Sequence, residues 1–153
     1  MFFSKPVENK YDKKPNGKKS NVVQLLDKDF KNKKVINSKI KGKYGILKIY
    51  APWCGYCTTM VDDMNFIADE LKPVDFVVAA LNYEQSKDIC REIGVTSFPS
   101  MYMISKSGEL EDVSSSVGNR SVESILDVIC KKTNEYSNNK GRCCKKKGNK
   151  IVC

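Results

Sequence analysis

Two cysteines three positions apart, Cys54 and Cys57, lie in the run Tyr50-Ala51-Pro52-Trp53-Cys54-Gly55-Tyr56-Cys57. Sulfur at this spacing either cycles between a dithiol and an internal disulfide or forms half of a tetrahedral metal site. The residues after Cys57 read as a helix, so the first sulfur falls at a helix start, among backbone N–H groups that have no partner inside the helix. Those amides and the positive end of the helix dipole favour thiolate over thiol. Thiolate is the nucleophile of disulfide exchange. A zinc site would need a second ligand pair, and the chain has no histidine, so no metal is expected. Disulfide exchange also needs no bound cofactor.

The elements around this pair follow from pattern. Ile46 to Ala51 is apolar on both faces and reads as a central strand covered on each side, delivering the chain into Trp53-Cys54. From Cys54 to Leu71, Met60, Met64, Ile67, Ala68 and Leu71 recur at helical spacing, and Pro73 ends the stripe. Upstream, Val22 to Leu26 is a short strand and Asp27 is expected to cap a helix through Ile36. A lysine- and glycine-bearing loop spans Ser38 to Tyr44. Downstream, Val74 to Leu81 is a second buried strand, and Ser86 to Ile93 a short helix closed by Gly94. Pro99 to Ile104 and Leu110 to Val117 form a hairpin turned at Lys106-Ser107-Gly108. Ser121 caps a last helix through Thr133. The order is β-α-β-α-β-α-β-β-α, an α/β fold whose late hairpin makes the sheet mixed.

Charge divides the chain into three. Residues 1–45 carry 13 lysines against 4 acidic residues, residues 46–130 carry 6 basic against 13 acidic, and residues 131–153 carry 8 basic against 1 acidic. An acidic body therefore bears two basic ends, read as flexible arms. Such arms would attract nucleic acid or another polyanion in a salt-sensitive, non-specific way. Lysine outnumbers arginine 24 to 3, a bias that an AT-rich genome would also produce. No stretch reaches the roughly 18 apolar residues of a membrane span. No signal peptide is read at Met1 to Lys14, so the expected location is cytoplasmic, or host cytoplasm or virion for a viral chain.

Taken together, Tyr50 to Cys57, Lys87-Asp88-Ile89-Cys90-Arg91-Glu92-Ile93-Gly94-Val95, Phe98-Pro99 and the Gly-x-Arg at Gly118 to Arg120 resemble the thioredoxin superfamily. Within it the likeness is to domains of the protein disulfide isomerase type, over about Val22 to Thr133. The resemblance implies a thioredoxin-like domain at 22–135, between a basic arm at 1–21 and a Lys/Cys-rich tail at 136–153. It implies that Cys54 attacks partner disulfides and that Cys57 resolves the mixed disulfide. Pro99 matches the family's cis-proline, which leaves the Phe98 backbone free to pair with an extended substrate. Trp53 falls at the rim of that groove. The partners implied are protein thiols and disulfides, with an external electron donor or acceptor such as a reductase, glutathione or a sulfhydryl oxidase.

Several residues depart from the family pattern. Tyr56 stands where isomerases have histidine and thioredoxins proline. It adds no positive charge, so Cys54 is expected below about 8.5 without reaching the lowest values. The potential is expected between about −270 and −180 mV. Lys48 replaces the buried acid of the family, on the strand face shared with Ile46 and Tyr50. If buried beside the dithiol it acts as a base or stabilises thiolate by its charge; if it snorkels outward, water moves the proton. Arg120 is expected to reach toward the resolving cysteine or to stay on the surface. Cys90 reads as a core thiol, and Cys130 as a second residue for burial. Cys143, Cys144 and Cys153 lie in the basic tail, where they could shuttle electrons to or from Cys54, tether a partner or, against the spacing of zinc sites, bind metal. They stay free in a reducing cytosol and pair in a particle or an oxidising compartment. The competing function is a thioredoxin-fold binding protein, anchored by its arms to nucleic acid, membrane or a viral particle.

Overall fold

The computed structural model describes residues 11, 13–14 and 16–153. Strand β4 (Gly45–Tyr50) is the centre of the molecule, and every one of its residues is buried. Such a strand needs cover on both faces. On one side it runs parallel to β5 (Val77–Asn82), and on the other antiparallel to β6 (Ser100–Ile104). With β1 (Val23–Leu25) beside β5 and β7 (Leu110–Asp112) beside β6, the five-stranded mixed sheet has the order β1-β5-β4-β6-β7.

Strand alternation sorts β4 into two cores. Ile46 and Tyr50 face Met64, Ile67 and Leu71 of α2 (Val61–Leu71) and Ile125 and Ile129 of α4 (Val122–Ser137). Leu47 and Ile49 face Leu25, Phe30, Val35, Ile40 and the short helix α3 (Lys87–Ile93), which contributes Ile89 and Cys90. Gly94 ends α3 at φ +92°, a conformation open to glycine, as expected.

The helix expected over 27–36 is replaced by a 3-10 turn at Asp27–Asp29 and a hairpin of β2 (Phe30–Lys31) and β3 (Lys34–Val35). Asn32 and Lys33 supply the two positive φ angles such a tight turn requires. Phe30 and Val35 then sit opposite one another and enter the core together. The hairpin is tied to the later β6–β7 turn where Val35 N–H donates to Gly108 O at 2.9 Å. A Cβ at position 108 would collide with the Val35 carbonyl.

The helix after Cys54 is not continuous. A short α1 (Gly55–Thr59) breaks at Met60 before α2 begins. Thr58 and Thr59 donate their hydroxyls to the Cys54 and Tyr56 carbonyls at 3.2 and 2.9 Å, competing with the helical ladder. Strand β7 stops at Asp112, short of the expected Val117, and α4 runs one turn beyond Thr133.

The expected flexible arm at 1–21 falls partly outside the described residues, and the described residues of both basic ends contact the body. Residues 1–10 lie outside the described residues, and Tyr11 is 2% exposed. Lys14 Nζ pairs with Asp69 at 2.6 Å, and the Ser20 hydroxyl donates to Asn65. The tail folds into a hairpin of β8 (Lys145–Lys147) and β9 (Lys150–Val152). It is closed by Cys144–Cys153 and fastened to α4 by Cys130–Cys143. Ile151 N–H donates to Glu70 and Arg142 Nε to the Val74 carbonyl. A covalent closure of this kind orders a segment whose composition alone favours disorder.

Candidate active site

Strand β4 ends at Tyr50, and the chain turns through Ala51 so that Cys54 N–H donates to Ala51 O at 3.0 Å. Cys54 is the N-cap of α1, and its sulfur accepts the Cys57 N–H at 3.1 Å. One of the helix's orphan amides thereby points at the first sulfur, as the spacing implied. Cys54 and Cys57 are joined as a disulfide. Cys54 keeps 9% of its surface exposed and Cys57 none. Cys54 is therefore the residue of the pair that meets solvent.

The rim around Cys54 is aromatic. Trp53 is 66% and Tyr56 71% exposed. Trp53 meets Phe98 edge-on at 5.5 Å, and Phe98 in turn packs on Tyr83 at 5.0 Å. The Trp53 indole N–H donates to Glu84 at 3.0 Å, and that bond, with help from Lys87, holds the Glu84 carboxyl below its ordinary range. The Phe98–Pro99 peptide is cis. The register Ile49↔Ser100 brings this peptide to the same end of the sheet as the dithiol. Arg120, itself at φ +60°, places its guanidinium 5.8 Å over the Tyr56 ring rather than inward at Cys57.

Beneath the dithiol lies Lys48, with no exposed surface. It does not snorkel. Its Nζ donates to the Cys57 carbonyl at 2.5 Å and to the Tyr11 hydroxyl at 2.6 Å. It also stands 5.1 Å from the Tyr11 ring centroid and 5.7 Å from that of Tyr50. The β4 alternation put Lys48 on the face of Ile46 and Tyr50 and left open whether its ammonium stays inside. Nothing local flagged Tyr11, which lies 37 positions upstream.

A matching family model, Thioredoxin, covers residues 21–131. The chain belongs to the thioredoxin family. It is 33% identical over 87 residues to protein disulfide-isomerase 1 of Dictyostelium discoideum, which spans 54% of this chain and 23% of that protein. It is 34% identical over 90 residues to protein disulfide isomerase-like 1-3 of Oryza sativa subsp. japonica, spanning 59% and 16%. Among solved structures, the first thioredoxin domain of mouse protein disulfide-isomerase A4 superposes with a TM-score of 0.57 at 26% identity, covering 71% of this chain and 72% of that one. The chain thus spans under a quarter of these two curated relatives' lengths and most of the single domain.

The other cysteines of this thioredoxin-family chain sort by partner. Cys90 is a buried free thiol, as expected; burial, with the Asp27 charge adding, pushes it up to about 12. Cys130, expected as a buried thiol, is half-buried and paired with Cys143. Cys144 and Cys153 pair with each other, so none of the tail sulfurs is left as a free thiol. Among the described residues no cluster of His, Cys, Asp and Glu is arranged to hold a metal ion. No helix among them is long and apolar enough to cross a membrane.

Proposed function

We propose that this chain is a thiol–disulfide oxidoreductase that exchanges disulfides with protein substrates through Cys54 and Cys57. The observation that carries the reading is the Cys54–Cys57 disulfide at a helix start, with the outer sulfur accepting a backbone N–H and the inner one sealed. In the reducing direction the Cys54 thiolate attacks a partner disulfide. A Cys54–partner bond forms, and the first partner sulfur leaves as thiolate. Cys57 then attacks Cys54, the internal bond re-forms, and the proton Cys57 loses ends on the second departing partner sulfur. Run backwards, the same steps place a disulfide in a partner. The electrons come from, or go to, an external thiol or oxidant.

Trp53, Phe98 and Pro99 form the groove that receives the partner segment. Tyr56 and Arg120 edge it with a cation stacked on an aromatic face. Lys48 supports the Cys57 thiolate by charge, since its ammonium rests on that residue's own carbonyl. The two tail disulfides support maturation in an oxidising setting rather than a reducing cytosol. A second reading, attachment to a polyanion, is favoured by the exposed Lys145–Lys147 strand.

Equilibration with glutathione, followed by alkylation and mass measurement, tests the main reading. The wild-type chain is expected to interconvert reversibly between dithiol and a 54–57 bridge, and Cys54→Ala to lose reduction of a protein disulfide. A pair that never cycles at any attainable glutathione ratio would overturn it. Polyanion retention that survives Cys54→Ala and disappears with salt would establish the second role separately.

A further inference from the structure

A lysine with no exposed surface is an expensive residue unless its charge is matched by acceptors. The domain that follows residue 22 supplies Lys48 with the Cys57 carbonyl and the face of Tyr50. The oxygen at 2.6 Å and the nearer aromatic face both come from outside that domain, from Tyr11. Tyr11 is itself fixed. Its ring stands edge-on to Tyr50 at 5.6 Å and 81°. The chain after it is pinned by Lys14 on Asp69, by a turn in which Gly17 N–H donates to Lys14 O, by a bridge between Lys13 and Lys19, and by Ser20 on Asn65. None of these anchors depends on Lys48, so the segment presents Tyr11 to the ammonium as a built partner.

We propose that Tyr11 is a positioning residue of the dithiol site, holding the Lys48 ammonium on the Cys57 peptide and thereby favouring the reduced, thiolate-bearing state of the pair. The inference rests on the reading of Cys54 and Cys57 as a cycling dithiol and adds a component from a segment that composition marks only as a basic arm. Burial pushes the Tyr11 phenol well above its ordinary value. It therefore stays neutral and serves as an acceptor, not a counter-anion. The described groups facing the ammonium are Tyr11, Tyr50 and the Cys57 peptide. A positive charge held there stabilises thiolate and does nothing for the uncharged disulfide. Reduction of the bridge by two glutathione molecules, giving two protein thiols and one glutathione disulfide, is correspondingly favoured.

The test measures the dithiol–disulfide equilibrium against glutathione for the full chain, Tyr11→Phe, Lys48→Met and the double variant. Tyr11→Phe keeps the ring on Tyr50 and removes only the oxygen. It is expected to shift the equilibrium constant about three-fold toward the disulfide, equivalent to about 14 mV, and Lys48→Met about ten-fold, or about 30 mV. In the Lys48→Met background Tyr11→Phe is expected to change nothing further. A merely structural tyrosine would lower the melting temperature in both backgrounds and leave the potential alone. A Tyr11→Phe constant within about 1.5-fold of wild type, or the same shift with and without Lys48, overturns the proposal. Should Lys48→Met fail to fold, the Tyr11→Phe shift against wild type still decides it. Failure of the wild-type pair to cycle at all sinks the underlying reading; a cycling pair indifferent to Tyr11 sinks this inference alone.

Discussion

The Cys54–Cys57 bridge and the two tail bridges are the same covalent bond set in different surroundings. The first joins residues three apart at a helix start, with Cys54 at the surface edge and a buried ammonium on the Cys57 carbonyl. The tail bridges join residues 13 and 9 apart, and they fasten a three-residue-per-strand hairpin that has little apolar surface of its own to α4. Closing a longer loop removes more freedom from the unfolded chain. The tail bonds are thus suited to stability, and the 54–57 bond, which restrains little chain, is free to open and close. What separates a working disulfide from a stapling one is the environment of its sulfurs and the length of chain it closes.

Cys57→Ala should have the largest effect. Without the resolving sulfur, Cys54 stays bonded to its partner, and turnover falls about 100-fold or more while a reductant-sensitive adduct accumulates on a gel. Absence of that adduct would break the assignment of roles to the two sulfurs. The contrasting variant is Cys130→Ala with Cys143→Ala. It should cost about 3 kcal/mol in chemical denaturation and leave exchange turnover within about two-fold of wild type. Loss of exchange in that variant would mean that the tail bridge takes part in the chemistry, erasing the contrast.

The smallest effect concerns the remaining thiol. In the native chain Cys90 holds its proton up to about 12, whereas an unfolded cysteine releases it near about 8.5. The stability this contributes is complete below the unfolded value and is lost as pH rises toward the folded one. Between pH 7 and 9 the loss amounts to less than about 1 kcal/mol. Cys90→Ala should flatten that portion of the urea-midpoint profile, whatever it does to the midpoint at neutral pH. An unchanged slope would show that another group carries the alkaline decline.

Local pattern carried a great deal. A run apolar on both faces made Gly45–Tyr50 a covered central strand, and helical spacing of Met64, Ile67 and Leu71 made α2 an inward-facing helix. Local pattern misled at 27–36. Asp27 looks like a helix cap, yet its carboxylate accepts from Ile89 N–H, and Asn32-Lys33 folds the segment back as a hairpin. Pairing between Phe30 and Val35 against a distant core outweighed a weak helical preference, as tertiary context does for short segments.

By itself, the sequence determined the dithiol, its helix and the strand face that Lys48 shares with Ile46 and Tyr50, because each depends on residues within a turn or a strand of one another. The proline beside the dithiol followed from the family resemblance. Only the tertiary structure decided that Tyr11 meets that lysine, that Glu84 holds Trp53, and that four of the outlying cysteines pair into two staples. Those contacts join positions from 9 to 37 residues apart. No periodicity in the chain encodes them. They exist because the sheet and its helices, once packed, bring these side chains within hydrogen-bonding or bonding distance.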